Sequence, residues 1–444
     1  MLLCLLQLSL RILVLWILSL WILSLWEGAA VFAAEEYSFD LSAYEKSPYE
    51  INGYAEVRWE QMRFDNNAAL YKANFFDQPP RDTLNRSNAA LQLEGRYRKD
   101  NLTFYARVLP SAYSDALNSD SQFETHELNM LWQAEPGMTL DVGKKLMKWG
   151  KGYAWNPVGF IERPKDPNEP DLSREGYVVL AGDLIKSRSG PLQTIAFTPV
   201  LLPVYDNIND DFSETNGEVN HLNLAGKLYF LYNDTDIDLM FLAKGSRSAR
   251  VGVDFSRNLS ANFEVHGEWA FINDQQQPII NNSGVLDLRV QDARSWLLGM
   301  RYLTESETTY ILEYYRNDAG FSEDETRSFY QSVDNAYQAV NISALKQLRA
   351  FAKGVYAGQT LMQNYVYLRA MQKDPFDILY VTPALTLIYN LDDRSYNVSP
   401  EIAYTGIKNL ELRAKLNMLQ GDRLTEFGEK QNASKLELRV RYFF

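Results

Sequence analysis

The 444 residues carry a formal charge of −13 and a pI near 4.9, which excludes a nucleic-acid binder, since that needs a clustered basic face. One cysteine, Cys4, and three histidines (His126, His221, His266) that never fall at metal-ligand spacing argue against disulfide, thiol and metal chemistry, so no metal and no cofactor are expected. The length would hold two or three ordinary domains, but no linker splits it and all-β barrels often run long as one unit.

Taken in order, Arg11 precedes the apolar block Ile12 to Trp26, and the small residues from Gly28 to Ala34 offer a cleavage site after Ala33. Residues 1–33 therefore read as an export signal. An uncleaved anchor competes, because Leu2 to Trp26 is long enough to span a bilayer. Residues 34–50 make a short periplasmic lead, too short for a plug domain. The run from Ile51 to Trp59 then places Ala55, Val57 and Trp59 on one face and Tyr54, Glu56 and Arg58 on the other. That period of two recurs to the end of the chain, giving about eighteen strands over residues 51–444. Every second connection is tight, as at Pro136-Gly137 or Asn233-Asp-Thr235, whereas most of the others (65–86, 150–175, 203–219, 274–293, 318–360, 421–433) are long. The expected fold is an all-β, transmembrane, antiparallel up-and-down barrel with short periplasmic turns and long extracellular loops.

A soluble two-sheet sandwich shows the same alternation but leaves the export signal and the turn asymmetry unexplained. Facing lipid near the midplane, Arg413, Lys415, Arg439 and Arg441 would each cost about 2–4 kcal/mol, so they must point inward. By the same alternation Arg58, Arg96, Arg98 and Arg107 join them on a basic lumen wall at the closing seam. Glu264 and Glu268, with Asp254, form an acidic patch across the lumen. Such opposed rows select small ions, although paired charges that only stiffen the wall fit the same pattern.

In the fifth strand Leu140 and Val142 point outward, which would carry Lys144 into lipid, so a bulge over Gly143–Lys145 is expected. The connection that follows, 150–175, is rich in Gly, Pro and aromatics and is neither strand nor helix. In 318–360, Ser322 and Glu325 have capping-box spacing, and Ser343–Lys353 places Leu345, Leu348 and Ala352 on one helix face before Gly354 as a stop. Loops 203–219 and 318–326 carry much of the acidic excess, at a height where carboxylates could hold cations bridging lipopolysaccharide. No nucleophile elbow, phosphate loop, CxxCH or HExxH occurs, and the protein is not expected to be an enzyme.

The last ten residues alternate Leu436, Leu438, Val440, Tyr442 and Phe444 with Lys435, Glu437, Arg439, Arg441 and Phe443. A final strand of this kind ending in Phe resembles the C-terminal signature of Gram-negative outer-membrane β-barrels. The resemblance implies delivery through Phe444 to the barrel-insertion machinery, contact with outer-membrane lipid and lipopolysaccharide, and location in the outer membrane. The Trp-Gly and Asn-Pro pairs of the 150–175 loop are also similar to loops of porin-like families of unassigned cargo. General porins fold the loop between their fifth and sixth strands inward as a constriction. By that resemblance Lys145, Trp149, Lys151, Arg163, Lys165, Asp166, Glu169, Asp171 and Arg174 become candidate constriction residues, although Trp149, Tyr153, Trp155 and Phe160 would equally pack the loop against the rim. The expected function is a channel for passive or selective diffusion of small polar or charged solutes. The alternative is an export conduit or scaffold barrel, serving polysaccharide export, capsule attachment or as a sheath for a partner protein. Both a monomer and a homo-oligomer remain open.

Overall fold

The computed structural model describes residues 47–444 apart from 215–216, 282–283 and 356–359; the export signal and most of the lead lie outside the described residues. The strands are β1 (Tyr49–Phe64), β2 (Thr83–Lys99), β3 (Leu102–Asp115), β4 (Ser119–Glu135), β5 (Met138–Lys145) and β6 (Tyr177–Ser187). They continue with β7 (Leu192–Val204), β8 (His221–Tyr232), β9 (Thr235–Leu242), β10 (Arg250–Ser260), β11 (Phe263–Ile280) and β12 (Leu286–Leu303). The last six are β13 (Thr308–Asn317), β14 (Asn364–Gln372), β15 (Val381–Asn390), β16 (Tyr396–Ile407), β17 (Leu410–Gln420) and β18 (Asn432–Phe443). Each pairs antiparallel with its neighbours in sequence, and β18 pairs with β1, so the 18-stranded sheet closes on itself.

Closure is sealed at the turn end. Phe444 donates its amide to the Gly53 carbonyl at 3.1 Å, and Gly53 returns its own amide to the Phe444 carbonyl at 3.1 Å. A Cβ on Gly53 would lie 2.2 Å from the Gln92 carbonyl oxygen and 2.9 Å from the Phe444 ring, so only glycine fits this three-strand junction.

The sheet inverts the burial of a soluble protein. Ile51, Val57 and Leu128 are 60% exposed or more, while Glu60, Glu268, Glu313 and Arg439 are buried. Apolar rows this extensive on an outer surface belong against hydrocarbon, and the charges sit inside the closed wall.

Four expectations change. The segment 274–293 is no long loop: Gln275 to Ile280 pairs with Leu286 to Gln291, so β11 and β12 form a protruding hairpin joined at 281–285. Its β11 arm is polar on both faces from Asn273 to Gln277, which hid the strand, whereas its β12 arm still alternates, with Leu286, Leu288 and Val290 exposed on one face. The register of β5 runs unbroken against β4 and β6 through Gly143, so there is no bulge; Gly143 takes φ +125° and Lys144 pairs with Glu175. The turn read at Asp374-Pro375 is an eight-residue connection, 373–380, with a 3₁₀ turn at Pro375–Asp377. Gly354 does not end its helix, which continues to Val355.

At the long-loop end three helices, α1 (Ala69–Phe75), α2 (Glu323–Gln338) and α3 (Ile342–Val355), share a core of Leu70, Phe329, Tyr330, Val333, Leu345 and Leu348 with Ile280 of the hairpin. Ser322 and Glu325 form the expected capping box on α2, and Lys72 of α1 reaches Asp334 of α2 at 2.7 Å. We expect Gly53→Val to lower the temperature at which the folded barrel loses its fast mobility in detergent electrophoresis, whereas Ala55→Val, on the open outer face, leaves it unchanged.

Candidate functional site

The connection between β5 and β6, residues 146–176, lies inside the barrel and is held by inward side chains of strands remote in sequence. On its first half the acceptors are carboxylates. Glu268 of β11 accepts the amides of Lys151 at 2.6 Å, Gly152 at 2.5 Å and Val158 at 3.2 Å. Glu313 of β13 accepts the amides of Tyr153 and of Ala154, the latter at 2.8 Å, and is joined at 2.9 Å by His266 Nε2. Gly150 sits at φ +94°, where a Cβ would meet Glu268 Oε1 at 2.7 Å; the glycines are what let the chain lie against the carboxylate.

Asp238, Asp254 and Glu268 stand opposite one another on β9, β10 and β11. Like charges so placed repel. Lys151 enters this row, 3.1 Å from Asp238 and 3.9 Å from Asp254, while the loop amides satisfy Glu268, so the acidic patch is a socket for the loop. Trp149 is buried among Val158, Phe160, Tyr177 and Val179, and Trp155 stacks on Tyr315 with centroids 4.9 Å apart.

The second half of the loop reaches the closing seam. Ser173 accepts from Arg107 at 2.5 Å, and Asn397 of β16 donates to Asn168. Glu169 meets three cations: Arg413 at 2.8 Å, Lys415 at 3.0 Å and Arg439 at 3.5 Å. This ionic cluster lies between two cavities, and Asn168 and Glu169 line both. Toward the turn end, about 240 Å³ is enclosed by Glu169 and Asp171 on the loop and by Arg369, Arg413, Arg439 and Arg441 on the wall. Toward the loop end, about 190 Å³ is lined by Asn168, Asn397, Asn417, Asn432, Ser434 and Lys435.

The nine loop residues singled out from sequence divide by partner. Glu169 and Asp171 face the arginine cavity, and Asp166 the asparagine cavity. Lys151 fills the acidic socket. The remainder brace the loop or its base: Lys145 pairs with Asp141, Lys165 with the Gly152 carbonyl, Arg174 with Glu162 at 2.8 Å, and Arg163 with Glu175 at 3.1 Å and Asp211 at 2.6 Å. Trp149 packs.

On the wall the cations are matched by carboxylates. Arg441 pairs with Glu56 at 2.6 Å, Arg439 with Glu437 at 3.2 Å and Arg58 with Glu437 at 4.0 Å. Arg107 pairs with Glu127 at 2.6 Å, Arg413 also reaches Glu401 at 2.5 Å, and Arg96 and Arg98 hold Glu50 at 3.5 and 3.2 Å. Glu264 accepts from Ser256 at 3.1 Å. Glu401, Glu162, Asp238 and the asparagines escaped sequence reasoning. The polar alternation Asn397, Ser399, Glu401 was the signal that could have found two of them, Asn397 and Glu401.

Burial pushes the Glu169 carboxyl upward, but Lys415, Arg413 and Arg439 outweigh it and hold it down at about 2. A carboxyl lowered on folding stabilises the structure above its ordinary value near 4.5, and that contribution is lost as pH falls through about 2. Between about pH 5 and 2 tryptophan fluorescence should therefore show a step as acid breaks the Glu169 contact, and that step should be missing in Glu169→Gln. Glu268→Ala strands three loop amides at about 1–3 kcal/mol each. Hydrogen exchange at Lys151, Gly152 and Val158 should accelerate strongly while β11 itself stays protected.

No protein-family model and no curated protein matches the chain. Solved structures do. Pseudomonas aeruginosa OccK5 (OpdH) is 12% identical with a TM-score of 0.50, the match covering 89% of this chain and 98% of that one. An engineered triple mutant of the Rhodopseudomonas blastica porin is also 12% identical, with a TM-score of 0.42, over 89% of this chain and 100% of that one. At this identity the likeness to OccK5 is one of fold, a closed membrane barrel.

Proposed function

We propose that the chain is an outer-membrane, porin-like channel for passive or selective diffusion of small polar or charged solutes, with its long-loop end outside the cell. The observation that carries this reading is the path along the seam. Between loop 146–176 and the wall of β16, β17, β18 and β1, two polar cavities lie end to end, separated by Glu169 and its three cations.

Residues 150–175 are then the constriction, with Glu169 and Asp171 facing the arginines of the wall. Carboxylates on one side of a narrow passage and guanidinium groups on the other set a field across it, which orients dipolar solutes and discriminates ions. The salt bridges of Glu169 stand between the two cavities, so a solute passing from one to the other meets them. The gradient alone drives transport. Phe444 serves delivery to the insertion machinery, and the outer rows meet lipid and lipopolysaccharide.

Planar-bilayer recording tests this. Folded protein should give discrete ion-current steps, and silent bilayers would sink the channel reading. Replacing Glu169 with Gln leaves Arg413, Lys415 and Arg439 with one carboxylate fewer, so the reversal potential in a salt gradient should move toward anion preference. An unchanged potential would remove Glu169 from the permeation path.

A further inference from the structure

The cavity on the loop side of Glu169 differs in chemistry from its neighbour. Its charged lining groups already have protein partners: Lys415 holds Glu169 and the Asn168 carbonyl, Lys435 holds Glu60 at 3.0 Å, and Asp166 accepts the Asn168 amide at 2.8 Å. What remains is neutral. Asn397 donates to Asn168, Ser399 donates to Asn417 Oδ1 at 2.8 Å, and so the oxygen of Asn417 is engaged while its NH₂ has no partner among the described residues. The Asn432 side chain likewise has none, its Oδ1 standing without a donor.

An amide presents two N–H donors and a carbonyl acceptor, with no charge to favour an ion of either sign. Side by side, such groups complement a molecule whose own groups both donate and accept, which is the character of a hydroxyl. The volume of about 190 Å³ holds several waters or one small polyol in their place. A surface of apolar residues would have left hydroxyls unpaired, and a surface of free cations would have favoured anions; this one does neither.

We propose that the asparagine cavity is a recognition subsite for an uncharged polyhydroxylated solute, or the polyhydroxyl part of one, held by Asn417 and Asn432 before it meets the Glu169 cluster. The inference rests on the channel reading for its place on a transport path, but binding itself does not require conduction.

The test uses sorbitol, with 1,6-hexanediol as a six-carbon control lacking the inner hydroxyls and gluconate as a charged one. Calorimetry on the folded, detergent-solubilised protein measures binding, and solute-induced interruptions of ion current measure occupancy of the path. Sorbitol should bind about tenfold more tightly than hexanediol, and Asn417→Ala and Asn432→Ala should each weaken it about fivefold with the barrel's electrophoretic mobility unchanged. Equal binding of sorbitol and hexanediol, gluconate binding without sorbitol binding, or folded alanine variants that bind sorbitol as before would each overturn the subsite. Sorbitol binding without any ion current would keep the subsite and end the channel reading; ion current without sorbitol binding would do the reverse.

Discussion

Everything in this molecule depends on the pairing of β1 with β18. Backbone groups facing hydrocarbon have no water to bond to, so a sheet in a membrane must have no edge. The reciprocal hydrogen bonds of Gly53 and Phe444 finish that closure at one rim, and the register from Tyr54 to Phe64 carries it to the other. Once the wall is closed, each inward residue has a fixed height and azimuth. The interior charges then stop being a list and become pairs: Glu56 with Arg441, Glu94 with Arg107, Glu60 with Lys435.

The loop within the lumen uses those fixed charges differently on its two sides. Toward β11 and β13 the wall supplies carboxylates and the loop supplies backbone amides, a match that needs glycine at 150 and little else of the loop's side chains. Toward the seam the wall supplies cations and the loop supplies carboxylates, Glu169 in contact with three of them and Asp171 facing the arginine cavity. The first arrangement is a multiple mount, because each carboxylate holds two or three amides of the loop backbone at once. The second is an exchangeable contact: any anion of suitable size can compete for the same cations.

How much of this was legible in the sequence follows from range. Strand existence is written locally, in alternation, and residues such as Val57 and Arg58 declare their faces within one turn of text. The polar run from Asn273 to Gln277 hid the β11 arm of the hairpin, although Leu286, Leu288 and Val290 alternate along the β12 arm it pairs with. Gly143 misled in another way, since a glycine in a strand can rotate the chain without shifting its register. The site was legible only in part. That Glu268 and Glu313 point inward could be read, but that they bond amides more than a hundred residues away could not, because amides have no signature of their own. The lysines and arginines of the loop looked like pore groups, yet Lys165 and Arg174 are consumed within the loop.

The long reach of Glu169 bears on the order in which the structure can assemble. Arg439 is 270 residues further along the chain, on the final strand, and Arg413 and Lys415 are on the one before it. The loop's mount on β11 and β13 can form while the sheet is still growing, but its seam contact has no partners until the last hairpin is in place. A barrel interrupted before that hairpin would lack both its sealed edge and the cations that hold the loop at the seam. Glu169 is thus joined to its cations across some of the longest sequence separations the loop makes, and only the finished seam holds that side of the loop in place.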